Sequence, residues 1–240
     1  VAVTKLESDA AADLSNITVT GNRTAAVSDD VTFTGNLGTF TTTVATGKTL
    51  TGDVDVLQGE LIDGAGTVAV TDLDTDLDAD LSTITSTAVT ATFNVSGTFT
   101  GNLGTASTTV ASGVKLTAAA SVLAGETISG GLVDITGNIA ADTDISNISS
   151  TVDFTASTPT VASGKTLTLT AAQANAESFV NSGTVVISAS SGVQSTTVTG
   201  GVVKATMGAG ADVLILGDAA NVAATDEIDM GADSDEVRIT

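Results

Sequence analysis

Apolar and hydroxyl-bearing residues alternate along most of this chain. Ile17-Thr18-Val19-Thr20, Val31-Thr32-Phe33-Thr34 and Lys48-Thr49-Leu50-Thr51 each place apolar side chains on one face of an extended segment and threonines on the other. That period of two predicts half-buried β-strands. Glycine punctuates the segments, at Gly21, Gly35, Gly38, Gly47, Gly52, Gly59 and Gly64 in the first part of the chain, and marks the turns between strands. Only LTAAQANAESFV, from Leu169 to Val180, clusters Ala, Gln and Glu in a way that suits a helical turn. Its counterpart is LTAAASVLAGETI from Leu116, and a loop would serve equally at both places.

The alternation is organised into an internal repeat. VAVTKLESDAAADLSNIT starts at Val1, VAVTDLDTDLDADLSTIT at Val68 and VDITGNIAADTDISNIS at Val133, while VVISASS at Val185 opens the tail. Inside the units, FTGNLGT recurs at Phe33 and Phe99, and VATGKTLT at Val44 matches VASGVKLT at Val110 and VASGKTLT at Val161. The organisation read from these matches is repeat 1 over 1–67, repeat 2 over 68–132, a shortened repeat 3 over 133–184 that lacks the FTGNLGT block, and a C-terminal β segment over 185–240.

Strands of this kind in tandem units of roughly 65 residues predict an all-β fold, a parallel β-solenoid with about three coils per unit. The alternative is a string of small β-sandwiches, which normally need about 100 residues each and often anchor their cores on Trp or Tyr. This chain has neither, and its only aromatics are six Phe.

Composition narrows the chemistry. With no Cys, His, Trp or Tyr, the chain has no residues for thiol nucleophiles, Cys/His zinc sites or a Ser/His/Asp triad. Paired carboxylates can hydrolyse glycosides, but the seven cations Lys5, Arg23, Lys48, Lys115, Lys165, Lys204 and Arg238 are scattered and aromatic sugar platforms are missing. The expectation is a protein that is not an enzyme. Thr-x-Thr steps such as Thr32 to Thr34 are too unevenly spaced for an ice-binding array. Against those seven cations stand 28 carboxylates, a net charge of −21, which repels nucleic acid and anionic lipid and makes cations the natural partners. No segment reaches the roughly 18 consecutive apolar residues of a membrane span. The N-terminus shows no basic stretch followed by an apolar run. A start at Val1 is expected of a processed chain, a fragment of a longer one, or one exported by a signal elsewhere. Absence of Cys suits a bacterial exterior.

Two acidic regions are candidate cation sites. Asp72, Asp74, Asp76, Asp78 and Asp80 alternate with other residues and would share one face if they formed a strand; repeat 1 does not keep the pattern, so a solvated acidic edge is the expectation over a calcium loop. In the tail, MGAGADVLI runs from Met207 to Ile215 and MGADSDEVRI from Met230 to Ile239. Both resemble the glycine-rich nonapeptide of RTX proteins, a calcium-binding β-roll in which glycines at positions two and four, an aspartate at six and an apolar residue at eight recur. Gly208, Gly210, Asp212 and Leu214 occupy those positions in the first copy, and Gly231, Asp235 and Val237 in the second, where Asp233 replaces a glycine. Met207 and Met230 depart from the pattern at its first glycine. Asp226 precedes Asp235 by nine residues, the spacing of the roll, whereas Asp212 to Asp226 is 14 and breaks the register.

Taken with the acidic, Cys-free, Thr/Ala/Val/Gly-rich repeats, the tail makes the chain resemble bacterial S-layer proteins and related RTX surface proteins. The resemblance is compositional over 1–206 and carried by motifs over 207–240. It implies an extracellular protein at the bacterial cell surface, exported without a cleaved N-terminal signal. It also implies self-assembly into a sheet or filament with calcium as cofactor, the metal residues being Gly208, Gly210, Asp212, Asp226, Gly231, Asp233 and Asp235. The competing expectation is an adhesin or biofilm-matrix stalk whose partner is polysaccharide or another cell.

Overall fold

The computed structural model describes residues 1–154, 158–188, 194–216 and 225–240, and nearly all of its regular structure is parallel β. Residues 189–191, within the VVISASS that opens the tail, lie outside the described residues. The chain divides into two compact units, Val1–Leu116 with Glu126–Leu132, and Thr117–Gly125 with Val133–Thr240.

In the first unit the strands are β1 (Ala2–Val3), β2 (Thr24–Val27), β3 (Val31–Phe33), β4 (Thr41–Val44), β5 (Thr49–Asp53), β6 (Ile62–Gly64), β7 (Thr67–Thr71), β8 (Ala88–Phe93), β9 (Gly97–Phe99) and the start of β10 (Ser107–Ala119). Strands β1, β2, β4 and β6 pair in that order in one parallel sheet, and β3, β5, β7, β8 and β10 in a second. Successive passes of the chain, β2 then β3, β4 then β5, β6 then β7, visit each sheet once. That is a β-solenoid coil, and the parallel pairing rules out a string of antiparallel sandwiches.

After β11 (Thr127–Thr136), the second unit repeats the plan with β12 (Thr143–Asp144), β13 (Thr151–Phe154), β14 (Thr160–Val161), β15 (Thr166–Thr170), β16 (Ser178–Asn181), β17 (Thr184–Ser188), β18 (Ser195–Thr199), β19 (Val202–Thr206), β20 (Val213–Leu216), β21 (Glu227–Asp229) and β22 (Glu236–Ile239). One parallel sheet has the order β12, β15, β17, β19, β21 and the other β14, β16, β18, β20, β22.

Register stacks like on like. Leu50 lies opposite Val68 and Val68 opposite Val89, and all three are buried. In the second unit Leu167, Val185 and Val203 form the same kind of inward column. Thr49 opposite Thr67, and Thr166 opposite Thr184, lie half-buried at alternate positions on the other face. Each inward Leu or Val stabilises the stack by roughly 1.5–3 kcal/mol relative to exposure. All six Phe side chains are also in the core. Phe93 meets Phe99 edge to face at 5.6 Å, and Phe154 meets Phe179 at 5.3 Å, a favoured aromatic geometry.

The FTGNLGT blocks fold alike because their composition leaves little choice. Leu37 and Leu103 are buried, and the side chains of Asn36 and Asn102 accept the N–H of Gly38 and Gly104 at 2.8 and 3.0 Å. Gly38 and Gly104 take φ of 63° and 65°, which glycine adopts without steric penalty. A Cβ on Gly35 or Gly101 would stand 2.1 Å from the carbonyl oxygen of Ala12 or Ala79 in the preceding coil. These glycines set how closely the coils approach.

Three one-turn helices make corners: α1 (Val54–Leu57), α2 (Ala120–Leu123) and α3 (Ala171–Ala174). The last two fall in the segments whose composition suits a helical turn. Each buries its first and fourth residues. Asp53 caps α1 by accepting the N–H of Asp55 at 3.0 Å, and Thr170 with Gln173 forms a capping box on α3. Gln173 also donates from Nε2 to the carbonyls of Ile145 and Ile148, both at 2.7 Å.

Gly101→Ala forces a coil-to-coil separation and is expected to destabilise by about 2–3 kcal/mol. Gly47→Ala meets nothing within 4 Å at φ 70° and is expected to cost about 1 kcal/mol of left-handed strain. Denaturant midpoints of the two variants check this; equal shifts would show that close approach is not what Gly101 provides.

Candidate functional site

The polar residues of the turns have a common occupation. Some accept a backbone N–H two residues on, as Asn36 does, and others accept one about one coil away along the chain. Glu7 accepts Ser28 N–H at 3.1 Å, Asp30 accepts Thr49 at 2.8 Å, Asp74 accepts Asn94 at 2.9 Å, Asp142 accepts Thr166 at 2.9 Å and Asn175 accepts Ser195 at 2.9 Å. Turn amides that no strand partner satisfies thus find acceptors in the adjacent coil. A charged acceptor makes roughly the strongest such bond.

The tail turns belong to this system. Ala209 pairs with Ala232 in parallel, so the two RTX-like segments stack one on the other. Asp233 Oδ2 accepts Gly210 N–H at 3.1 Å, Asp235 Oδ1 accepts Asp212 N–H at 3.0 Å, and Asp212 Oδ1 accepts Gln194 N–H at 2.9 Å. Gly231, at φ 83°, sits so close to Gly208 that a Cβ would lie 2.2 Å from the Gly208 carbonyl oxygen. Six of the seven metal residues named from the sequence therefore come together in two stacked turns. Asp226 serves the other sheet, where its Oδ1 accepts Val203 N–H at 3.0 Å. Met207, which replaces the first glycine of the pattern, is buried, and Leu214 points inward as the pattern requires.

The donor set suits a cation only in part. Asp212 is 1 % exposed, and its Oδ2 has no hydrogen-bond partner, which leaves one buried carboxylate oxygen that a cation would satisfy. Yet no group of three or more Asp or Glu side chains among the described residues gathers in metal-holding geometry.

The run from Asp72 to Asp80 is not a strand. Asp72 takes φ 54°, Leu73–Thr75 forms a single 3-10 turn, and Leu73 and Ala79 turn inward. Asp72, Asp78 and Asp80 are left exposed and Asp74 and Asp76 half-buried, a solvated acidic turn. Asp76 and Asp78 hydrogen-bond to one another, which holds the Asp76 carboxyl below its usual range and raises that of Asp78. Gln58 also donates to Asp76.

Comparison with protein-family models, curated proteins and solved structures returns no match. The RTX-like reading therefore rests on the motif residues themselves.

Another repeated arrangement was invisible in the sequence. Each one-turn helix is followed by a left-handed residue, Gly59, Gly125 or Ala176, and then by a half-buried glutamate, Glu60, Glu126 or Glu177. Burial raises the carboxyl of all three, that of Glu126 to about 7, and Asp153 adds to the effect at Glu177. The recurring helix–left-handed residue–Glu order was the available signal, but only burial gives it meaning.

A carboxyl whose pKa is higher folded than unfolded binds more protons in the folded state. For Glu126 the window runs from its ordinary 4.5 to about 7, and stability is expected to fall as pH rises through it. Asp13, Asp29 and Asp80 are shifted below 3.8 by hydrogen bonds to Ser15, Lys48 and Ser82, so their stabilisation is lost only at lower pH. Thermal unfolding should show a higher Tm at pH 5 than at pH 8. Glu126→Gln should narrow that gap by raising the pH 8 value; an unchanged gap would exclude Glu126 as its source.

Proposed function

We propose that this chain is a structural protein of the bacterial exterior that self-assembles into a surface layer or filament. One observation carries the reading. Leu214 and Leu216 on β20 are buried, whereas Val237 and Ile239, which lie opposite them on β22, are 41 % and 53 % exposed. The far side of β22 therefore offers an apolar column and a parallel strand edge to a further coil, whether that coil comes from the same chain or from another copy. Where that coil comes from a second copy, it matches the parallel hydrogen bonding and the apolar column of β22, and head-to-tail stacking of this kind generates filaments. No helix among the described residues is long and apolar enough to cross a membrane.

Calcium enters this reading as the counter-ion of the acidic turns. A net charge of −21 opposes both coil stacking and association of copies, and divalent ions between carboxylates relieve it. Asp212 Oδ2 is the most specific candidate ligand atom, with the Gly208 and Gly210 turn, Asp233 and Asp235 beside it.

The second reading, an adhesive stalk, is favoured by a groove of about 420 Å³ lined by Ser146, Ser149, Ser150, Thr151 and Thr170. Its neutral hydroxyls suit a glycan.

Negative-stain microscopy of purified protein with calcium, and again with excess chelator, tests the assembly. Ordered sheets or filaments that dissolve on chelation are expected. Dispersed particles under both conditions would reject assembly and favour the stalk, and a lattice that survives chelation would reject calcium bridging alone. Asp212→Asn keeps an oxygen to accept Gln194 N–H but removes the charge; it should leave the melting temperature without calcium nearly unchanged and reduce the stabilisation that calcium gives.

A further inference from the structure

Arg23 differs from the ion-paired cations of this acidic chain. Lys48, Lys204 and Arg238 form ion pairs with Asp29, Glu227 and Glu236. Arg23, half-buried, forms none with any described carboxylate. Its backbone is fixed on both sides: Thr41 N–H donates to the Arg23 carbonyl at 3.0 Å, and the neighbouring Thr24 N–H donates to the Val1 carbonyl at 3.0 Å. The side chain is held as well, since Nη1 donates to the Ile17 carbonyl at 3.4 Å and to Thr39 Oγ1. A guanidinium has five N–H donors. With Nη1 engaged, the edge formed by Nε and Nη2 has no hydrogen-bond partner among the described residues.

Arg23 also lines a pocket of about 370 Å³, together with Gly21, Asn22, Thr24, Thr39 and Thr41. Two parallel N–H groups of one guanidinium match the two oxygens of a carboxylate. Three threonine hydroxyls and an asparagine amide around them are donors and acceptors suited to ring hydroxyls. We propose that the Arg23 pocket binds an acidic sugar, with the guanidinium on its carboxylate and Asn22, Thr24, Thr39 and Thr41 on its hydroxyls.

The alternatives match less of the pocket. An Asp or Glu side chain from a second copy would engage the guanidinium but bring an aliphatic stem to the hydroxyls. A phosphate would engage the guanidinium but carries no ring hydroxyls for Asn22 and the threonines. A uronate is a monoanion with hydroxyls on the same ring. This site gives the stalk reading a charged ligand, yet its binding does not require that the chain assemble or act as a stalk.

The test is titration of the purified protein with tetragalacturonate, with its methyl ester as the uncharged control, followed by calorimetry and by amide chemical shifts. Tetragalacturonate should bind and shift the amides of Asn22, Thr24, Thr39 and Thr41. The methyl ester should bind about tenfold more weakly or worse, and Arg23→Gln should lose about tenfold or more in affinity. Arg23→Lys should recover part of the loss, and both variants should keep the parent's circular dichroism and Tm. Equal binding of acid and ester, wild-type affinity in Arg23→Gln, or no binding at millimolar ligand would each overturn the proposal. A change in sedimentation of Arg23→Gln without any tetragalacturonate binding would do the same and assign the pocket to a carboxylate of a second copy.

Discussion

A single coil of this protein can neither bury its inward face nor satisfy its own turn amides; only the next coil does both. The inward columns of Leu50, Val68 and Val89, and of Leu167, Val185 and Val203, exist because each coil returns to the same register. Stability is then a sum of neighbour interfaces. The thin core of Val, Leu, Ile and six Phe is sufficient because the inward apolar side chains of stacked coils cover one another. The polar side of the same constraint accounts for the acidic turns. Their carboxylates hold N–H groups of the neighbouring coil, from Glu7 with Ser28 near one end to Asp235 with Asp212 near the other.

Stacking fixes register where the strands are and leaves the turns free to vary in length. Thr24 lies opposite Thr41, a step of 17 residues, while Thr143 lies opposite Leu167, a step of 24. Extra residues leave the coil at its corners, as in the acidic turn from Asp72 to Asp80, within the step of 21 residues from Val68 to Val89. A coil can therefore gain or lose residues at a corner and still return to register. In a closed antiparallel sandwich the same loss would remove strands from the pairing order.

The fold was legible in the sequence for a plain reason: strand alternation has a period of two, and the repeats fix how often the chain returns. The helical turn at Ala171–Ala174 was legible in composition, whereas α1 was not, because Val54-Asp55-Val56-Leu57 reads as a strand until Asp53 caps it. The alternation of Asp72 to Asp80 misleads in the opposite direction. Coil closure requires Leu73 and Ala79 to face inward, and the chain meets that demand with a left-handed residue and a 3-10 turn. The tail glycines and aspartates were legible as two copies of one motif, but not their stacking, which the Ala209–Ala232 pairing and the Asp212–Asp235 hydrogen bond supply. Their hydrogen bonds to the adjacent coil were not legible, because each partner lies 18 or 23 residues away and local spacing says nothing of it.

The carboxylates also separate into two populations with opposite responses to protons. Those that accept hydrogen bonds in exposed turns, such as Asp13 and Asp80, are held in the charged form. Those that follow the one-turn helices, Glu60, Glu126 and Glu177, lose solvation and favour the neutral form. The formal charge of −21 is thus partly reduced near neutral pH at Glu126, where burial raises the carboxyl to about 7. Nor does stacking compete with cation binding at the turns. A carboxylate needs one oxygen to hold the N–H of its neighbour, and Asp212 shows the arrangement, with Oδ1 on Gln194 and Oδ2 unpartnered. The same residue thus joins two coils through one atom and leaves the other unpaired, so the acidity that stacking employs is not used up by it.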